Sequence, residues 1–506
     1  MSDDRVSDDQ TPILIGAGQL TQRDVEPAAA LEPVAMMEAV ARGAADDAGV
    51  GAKALARLDA LAVVNVFCWP YADAPRLLGE RLGARPACEV TTTVGGNTPQ
   101  WLVNETAARI AAGQVSFALL VGAEAVRTVV RARRTRTTLA WGSGGGGQPT
   151  VVGDARDGTS AHEVAHGLVL PTQIYPMFEN ALRAKHRRTL DEHQRLLGHL
   201  CSGLSAVAAA NSHAWFRQAR TADEIATVSP SNRMIGFPYP KLMNAIIEVD
   251  QAAGILMASV ATARALGVPP DRWVYLWGTG QAHDRWFVTE RVDYTSSPAI
   301  REAARQALGA AGIGIDRIEH LDLYSCFPSA VQIGREMLGI PPDDPRLLTL
   351  TGGLPYFGGP GNNYSMHAIA EVVARTRARP GSVGLVTALG WYLTKHAIAV
   401  YAATPKDGPF VREDPAPRQA LLDAQAAPEL AMEPSGDGTI ETYTVLHDRD
   451  GTPVRGLVIG RLGDGRRFLA ATPEDRTLLE ALTAREAVGL RGWVVPTEGV
   501  NRFEPS

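Results

Sequence analysis

The chain repeats one order of strands and helices, and this repeat restricts its possible folds more than any other feature. Between residues 12 and 126, short apolar runs that predict buried strands alternate with segments of helical periodicity. The same order returns between residues 273 and 390, where SPAIREAARQALGAAGI corresponds to EPVAMMEAVARGAADDAGV, and IEHLDLYSCF corresponds to LDALAVVNVF. Strands that alternate with helices indicate a mostly parallel sheet covered on both faces. Two such copies in one α/β chain indicate an internal duplication.

Three segments lie outside the two copies. The first contains an arginine-rich run, the glycine-rich WGSGGGGQP and a long helical pattern, which indicate an inserted loop domain. The second is rich in Pro and Ala and predicts a linker with one short helix. The third alternates with a period near two and carries two Asp-Gly hairpin signals, which predict a small β-rich, barrel-like domain with one helix. The predicted organisation is a first half at 10–126, an inserted loop domain at 127–245, a second half at 246–405, a linker at 406–434 and a β-rich domain at 435–506.

Composition and charge argue against several functional classes. The formal net charge is −6 and the sequence pI is near 6.0, so no global basic field favours nucleic acid. No apolar run reaches the roughly 18 residues of a membrane span, and the acidic start lacks the apolar core of a signal peptide. The 4 cysteines are widely spaced without a CxxC pair, which is typical of reduced thiols. We therefore expect a cytoplasmic protein.

A duplicated unit of this kind, interrupted by an insertion, resembles the thiolase fold over roughly residues 10–405. Within that superfamily the chain is similar to sterol-carrier-protein type thiolases, and most similar to thiolase-like proteins type 1, which add a C-terminal domain. FPYPKLMNAIIEVDQAAG (237–254) and TYTVLHDRDG (442–451) carry this resemblance. It implies a five-layer αβαβα fold with an inserted loop domain. It also implies that the C-terminal domain resembles the OB-fold part of acyl-CoA-binding accessory proteins, without their zinc ribbon.

Thiolase chemistry needs a cysteine thiolate that forms an acyl-enzyme, a His that accepts the cysteine proton, and a further acid/base group. The nucleophile turn of the family aligns with TTVGGNTP, so the resemblance puts Val94 at the cysteine position. The HDCF loop aligns with YSCF, where Tyr324 replaces the His and Cys326 is retained. The GHP loop aligns with GGP, which puts Gly359 at the position of the activating His. The resemblance therefore implies an acyltransferase-like protein that acts on or binds acyl-CoA without Cys-dependent thiolysis.

Two other roles for the same site stay open. Some thiolase homologues that act as retro-aldolases on CoA esters use tyrosines, and Tyr324 and Tyr364 both lie at the loops that resemble catalytic ones. A phenol can exchange a proton with the substrate if the site shifts its pKa, and Cys326 is a candidate acid/base group beside it. The alternative for both tyrosines and for the cysteine is a buried packing residue, which is the common role of an aromatic side chain. The other role is a carrier that binds acyl-CoA or lipid without catalysis.

A zinc-hydrolase motif offers an alternative from a different class. The segment from His162 to His166 reads HEVAH and matches HExxH, in which two His one helical turn apart bind zinc and the Glu acts as base. Gly167 and Pro171 leave room for only a short helix around it. The motif is therefore a weak signal, and the prediction is that no metal is bound.

The inserted domain also carries the one basic run of the chain. Arg131, Arg133 and Arg134 are either part of a solvated face or an anchor for the phosphates of CoA, which the forked guanidinium donors suit. No tightly bound cofactor is expected, and a coenzyme A thioester is the expected substrate or ligand. A monomer and a homodimer are both compatible with the sequence.

Overall fold

The first half of the duplication contributes the strands at one end of a large mixed sheet. A computed structural model of the chain describes residues 9–144, 146–497 and 499–506. The elements of the first half before the insertion are β1 (Pro12–Thr21), α1 (Pro33–Asp47), β2 (Ala60–Val63), α2 (Ala74–Leu82), β3 (Cys88–Thr92), α3 (Thr98–Ala111), β4 (Phe117–Ala125) and α4 (Val126–Thr135). Strand β2 lies between β3 and β4 and runs parallel to both, as strands joined by helical crossovers do.

The inserted segment is mainly helical and sends short strands to two sheets. Its elements are β5 (Thr150–Val152), α5 (Ala161–Ala165), α6 (Pro171–Lys185), α7 (Leu190–Ala210), α8 (Ala222–Ala226), β6 (Met234–Gly236) and β7 (Tyr239–Pro240). Strand β5 pairs in parallel with β3 and covers the edge that β3 would otherwise expose.

The second half contributes the strands at the other end of the sheet. The elements after the insertion are β8 (Asp250–Ser259), α9 (Val260–Leu266), β9 (Val274–His283), α10 (Pro298–Ala311), β10 (His320–Asp322), α11 (Pro328–Met337), α12 (Tyr364–Ala378), β11 (Val383–Gly390) and β12 (Lys395–Ala402). Sequence order groups β8 with this second half, but β8 pairs antiparallel with β1 and β4. Its place in the first half could not be read from the chain order, because these pairings cross the whole insertion.

The layers of the molecule confirm the predicted duplicated α/β fold. The strand order is β10-β11-β12-β9-β1-β8-β4-β2-β3-β5, and the two halves meet where Ile13 and Leu14 of β1 pair with β9. Helix α1 covers the outer face of the first half and α10 covers that of the second half. Helices α3 and α12 lie between the two halves and contact strands of both. The five layers are therefore α1, the strands of the first half, α3 with α12, the strands of the second half, and α10, which is the order αβαβα.

Two pairs of glycines allow the outer helices to pack closely on the sheet. Gly16 and Gly18 on β1 face α1, and Gly278 and Gly280 on β9 face α10. A Cβ atom on any of these four residues would lie well inside van der Waals contact of a backbone carbonyl oxygen of the facing helix. The same Gly-x-Gly device in the first strand of both halves is a structural mark of the duplication.

The second half departs from the repeat at its third predicted strand. The sequence pattern predicts a strand that starts near residue 348, as the counterpart of β3, but none forms there. The Asp322 carboxylate instead accepts hydrogen bonds from the backbone N–H groups of Leu350 and Thr351, at 2.8 and 3.2 Å, and from the Thr349 hydroxyl at 3.0 Å. These bonds use the amides that a strand ladder would need.

The C-terminal domain is a closed five-stranded β-barrel, as predicted. Its elements, with the helix of the preceding segment, are α13 (Ala416–Asp423), β13 (Gly436–His447), β14 (Pro453–Leu462), β15 (Arg467–Ala471), α14 (Arg476–Ala484), β16 (Arg491–Val495) and β17 (Arg502–Pro505). The barrel closes in the order β13-β14-β15-β17-β16-β13, with β15 parallel to β17. Helix α14 joins the third strand of the barrel to the fourth, and this topology is OB-like.

A buried arginine connects the barrel to the second half. Arg467 is fully buried, and its guanidinium donates to both carboxylate oxygens of Glu441, at 2.9 and 2.8 Å. It also donates to the backbone carbonyls of Thr289, at 3.1 Å, and Arg291. The guanidinium stacks over the ring of Tyr294 at 4.8 Å. The barrel is thus attached through a charged group that has all its partners inside the protein.

Candidate functional site

A cavity of about 740 Å³ opens where several chain segments converge, and we call it the Lys395 cleft. Its walls are the turn from β3 into α3, the residues after β5, the end of β9, the start of β12 and the first turn of α13. β3 and β9 both point their carboxyl ends at it, which is the usual place for a ligand site in an α/β sheet. The volume lies within the range of small-molecule sites.

The amine of Lys395 lies at the wall of this cleft. The residue is 6% exposed, and its Nζ donates to the backbone carbonyl of Val94 at 2.6 Å. Nζ lies 5.8 Å from the ring centroids of both Trp286 and Trp391, and no described carboxylate forms an ion pair with it. Burial lowers the pKa of Lys395 to about 8, although the Asp154 carboxylate acts in the opposite direction.

On the turn between β3 and α3, two buried polar side chains line the same cleft without a hydrogen-bond partner among the described residues. Their unpartnered atoms are the hydroxyl of Thr93 and the side-chain oxygen of Asn97. Buried polar atoms are nearly always hydrogen-bonded in proteins, so an unpartnered pair that lines a cavity is suited to a polar ligand. The N-terminal turn of α3 supplies the same wall, through Thr98 and Trp101.

The segment predicted as a linker closes another side of the cleft. Gln419 of α13 is bound to the end of β9: it accepts from the His283 backbone N–H at 2.8 Å and donates to the His283 carbonyl at 2.9 Å. Opposite, the Arg156 guanidinium stacks on Trp286 at 3.6 Å and pairs with Asp154 at 2.6 Å. The cleft therefore has aromatic walls with charged groups at its rim.

Sequence reasoning missed Lys395 and Gln419. A signal was available for the first: Lys395 is one of only five lysines in the chain, and it lies a few residues after Ala388-Leu389-Gly390, the segment that resembles the last catalytic loop of thiolases. No comparable signal marks Gln419, because its role depends on a contact between segments more than a hundred residues apart.

The loops that resemble catalytic ones do converge beside the cleft. Val94 lies in the strand-to-helix turn, as predicted, and its side chain is 42% exposed. The next residue, Gly95, donates its backbone N–H to the Asn362 side chain at 2.8 Å, which joins this turn to the loop before α12. Gly359 lies on that same loop, with its N–H bound to the carbonyl of Ile246 at 2.8 Å.

Tyr324 and Cys326 are packed behind this turn. The Tyr324 hydroxyl lies so close to Gly96 that a Cβ there would overlap it, and only a void of about 10 Å³ remains beside the ring. The hydroxyl has no hydrogen-bond partner among the described residues. Burial raises the pKa of Tyr324 well above its usual value and that of Cys326 to about 12. Both groups are therefore protonated near neutral pH.

Tyr364 is held in a polar network. Its hydroxyl lies 2.6 Å from the Thr351 hydroxyl and 3.3 Å from that of Ser325, and the whole side chain is buried. Its ring packs edge-on against Tyr324 at 5.4 Å. This satisfied environment is typical of a structural tyrosine.

The HExxH motif does not assemble a metal site in the described part of the chain. The Nδ1 atom of His166 lies 2.8 Å from the carbonyl of His162, and its Nε2 accepts the Asn501 backbone N–H at 2.9 Å. The Glu163 carboxylate accepts hydrogen bonds from the backbone N–H groups of Ser160 and Thr289, both at 2.8 Å. No group of three or more His, Cys, Asp or Glu residues suited to a metal occurs among the described residues. The motif instead caps α5 and links the insertion to the barrel.

The basic run lies on α4, away from the cleft walls. Arg131 donates to the carbonyl of Val25 at 2.9 Å and pairs with Glu26 at 3.0 Å, and Arg134 lies 3.8 Å from Glu248. Arg133 is exposed on the same helix. None of the three arginines lines the Lys395 cleft.

No helix among the described residues is both long and apolar enough to cross a membrane.

Comparisons with known proteins agree with this architecture. Residues 417–499 match the family model described as the thiolase-like protein type 1 additional C-terminal domain. No curated protein sequence matches the chain. Among solved structures, the human mitochondrial 3-ketoacyl-CoA thiolase in complex with CoA is 15% identical and has a TM-score of 0.55, with 78% of this chain and 98% of that chain covered. An Ltp2-ChsH2(DUF35) aldolase is 19% identical, with a TM-score of 0.59 and 78% and 99% covered.

These two similarities show the fold alone. A third solved structure is similar over almost the whole length: the monomeric SCP2-thiolase-like protein type 1 from Mycobacterium smegmatis. It is 38% identical, has a TM-score of 0.86, and covers 99% of this chain and 100% of that chain. The chain belongs to the SCP2-thiolase-like protein type 1 family.

Proposed function

We propose that the protein binds an acyl-CoA thioester in the Lys395 cleft and does not perform Cys-dependent thiolysis. The observation that carries this proposal is the position of the cleft: it opens at the β3–α3 turn, where the resemblance puts the thiolase nucleophile, and is lined by Thr93, Asn97 and Lys395. A thiolase of the same fold is described in complex with CoA. The unpartnered Thr93 and Asn97 side chains would bind polar atoms of the thioester.

The residues at the turn argue against an acyl-enzyme. Valine at position 94 offers no nucleophile, and Gly359 offers no base. Cys326 is a neutral thiol at physiological pH because burial raises its pKa to about 12. Without a thiolate next to the cleft, an acyl group cannot transfer to the protein through sulfur.

Thermal unfolding with CoA, acetoacetyl-CoA or a long-chain acyl-CoA tests the proposal. A ligand at about a hundred times its dissociation constant should add about 2.7 kcal/mol to the free energy of unfolding and raise the midpoint. Ala416→Trp would place an indole at the cleft wall, where Ala416 is exposed, and should remove most of the shift.

Leu421→Trp is the matched control, since Leu421 lies on the same helix, is 60% exposed and does not line the cleft. It should keep the full shift. If no CoA compound moves the wild-type midpoint, or if both variants respond as the wild type does, acyl-CoA does not bind in this cleft.

A second candidate activity is retro-aldol cleavage of a CoA thioester, assisted by Tyr324. The observation that favours it is the Tyr324 hydroxyl, which has no hydrogen-bond partner among the described residues. It lies against Gly96, and Gly96 belongs to the turn that the thioester would contact. Because burial raises its pKa, this phenol would donate a proton to a developing enolate rather than remove one. Tyr324→Phe should then slow cleavage of a 3-hydroxyacyl-CoA by roughly a hundredfold or more. Equal rates in the variant and the wild type would eliminate this role.

We also propose that the chain acts as a monomer. Strand β5 covers the edge of β3 from within the chain, so this edge is not available for pairing with a second copy. The similar protein from Mycobacterium smegmatis is described as monomeric.

A further inference from the structure

We propose that Lys395 is a nucleophilic amine that forms an imine with a ketone or aldehyde carbonyl in the Lys395 cleft. The proposal rests on the proposed function where the carbonyl is the 3-keto group of an acyl-CoA. The amine chemistry itself needs only a carbonyl that reaches Nζ. It would give the protein a covalent route that does not depend on the missing cysteine.

The position of the amine separates Lys395 from the other lysines of the chain. Lys185 forms an ion pair with Glu336 at 2.8 Å, and Lys53 and Lys241 are exposed. Lys406 donates to the carbonyl of Ala310. Lys395 is buried at a cavity wall, and its Nζ is held by a neutral carbonyl rather than a carboxylate.

The surroundings of the amine favour its neutral form. Asp154 and Arg156, after β5, act on its charge, and the titratable groups His283 on β9 and His396 on β12 line the same cleft. Burial has the largest effect and lowers the Lys395 pKa to about 8; the Asp154 carboxylate raises this pKa, and the Arg156 charge lowers it further. Near pH 7.5 the neutral fraction is on the order of a hundredfold larger than for an ordinary lysine.

The reaction is balanced without any redox partner. The nitrogen lone pair attacks the carbonyl carbon, the π pair of C=O moves to oxygen, and one N–H proton passes from the nitrogen to that oxygen to give a neutral carbinolamine. Loss of this hydroxyl as water, with the second N–H proton, forms the C=N bond. The Thr93 hydroxyl and the Asn97 side chain, both unpartnered at the same wall, would bind the carbonyl or carbinolamine oxygen.

Acetylacetone is a probe that tests the amine without CoA. A primary amine condenses with this diketone to an enaminone and water, which gives a near-ultraviolet absorbance and a mass gain of one acetylacetone minus one water. At pH 7.5 we expect the adduct on Lys395 to form at least about tenfold faster than on any other lysine, because more of its amine is neutral. Its rate should rise with pH up to about 8 and then level off. Peptide mass mapping reads all five lysines in one sample.

Lys395→Met should lose the absorbance and the preferential adduct. Lys395→Arg keeps a positive charge but should also fail, which separates a nucleophile from an anion-binding cation. If Lys395 is labelled no faster than Lys53 or Lys241 in the wild-type protein, the proposal is overturned, and this reading does not require a variant to fold.

The CoA-induced shift of the unfolding midpoint separates this proposal from the proposed function. A shift with CoA in wild-type protein that shows no preferential adduct would retain the acyl-CoA site and reject the amine. A preferential Lys395 adduct without any response to CoA compounds would retain the amine and reject acyl-CoA as the ligand.

Discussion

Replacing Gly280 with alanine should prevent the chain from reaching a stable native state. The added Cβ would overlap the backbone carbonyl oxygen of Ala303 on α10, and a helix backbone cannot yield as a side-chain tip can. Moving α10 away from β9 would open the core of the second half along its length. We expect a loss of more than about 4 kcal/mol, a large part of the stability of an ordinary domain. Soluble yield and the midpoint of chemical denaturation measure it.

Gly309→Ala is the matched control, on the helix that Gly280 faces. Gly309 is exposed in the last turn of α10, and nothing lies within 4 Å of the position its Cβ would take. The substitution should stabilise the protein by about 0.5–1 kcal/mol, because alanine loses less backbone entropy in a helix. Similar unfolding midpoints for the two variants would mean that close helix–sheet packing at Gly280 does not limit stability.

Arg467→Ala should destabilise the protein by about 3–5 kcal/mol. The substitution removes a bidentate partner of Glu441, which keeps only Arg461, and leaves the carbonyls of Thr289 and Arg291 without a donor at the barrel junction. Because these groups attach the barrel to the second half, we also expect the barrel to become accessible to protease before the remainder of the chain. Urea denaturation and limited proteolysis give the two readings.

The adjacent residue supplies the control for this prediction. Arg466 is largely exposed and pairs with Asp464 in the same turn. Arg466→Ala should therefore change the stability by less than about 1 kcal/mol. A loss for Arg467→Ala that is as small as for Arg466→Ala would show that the buried guanidinium does not hold the barrel in place.

Local signals in the sequence predict many of the elements. Helix α2 begins where the Asp73 side chain accepts the Arg76 backbone N–H, and it ends at Gly83 in the left-handed conformation. Both signals lie within a few residues of the boundaries they set. The same is true of the glycine turns in the C-terminal barrel, which is why its strands are predictable.

Non-local contacts set the features that the sequence does not reveal. β8 joins the first half through pairings that span the insertion, and Asp322 prevents a strand near Thr349 by hydrogen bonds across about thirty residues. In the candidate site, too, local signals predict some features and non-local contacts set the others. The turn at Val94 is predictable from its strand–helix pattern, whereas Lys395 becomes a distinct amine only because separate segments bury it together.

Every described wall of the Lys395 cleft comes from a single polypeptide, including the residues that follow β5. A pocket shared between subunits disappears when the assembly dissociates on dilution, so its occupancy depends on protein concentration. If the chain acts as the monomer proposed above and binds its ligand in this cleft, the fraction of molecules with a filled cleft depends on the free ligand concentration alone. A cell that makes little of this protein would therefore fill the same fraction of its clefts as a cell that makes much, provided that free ligand is equal.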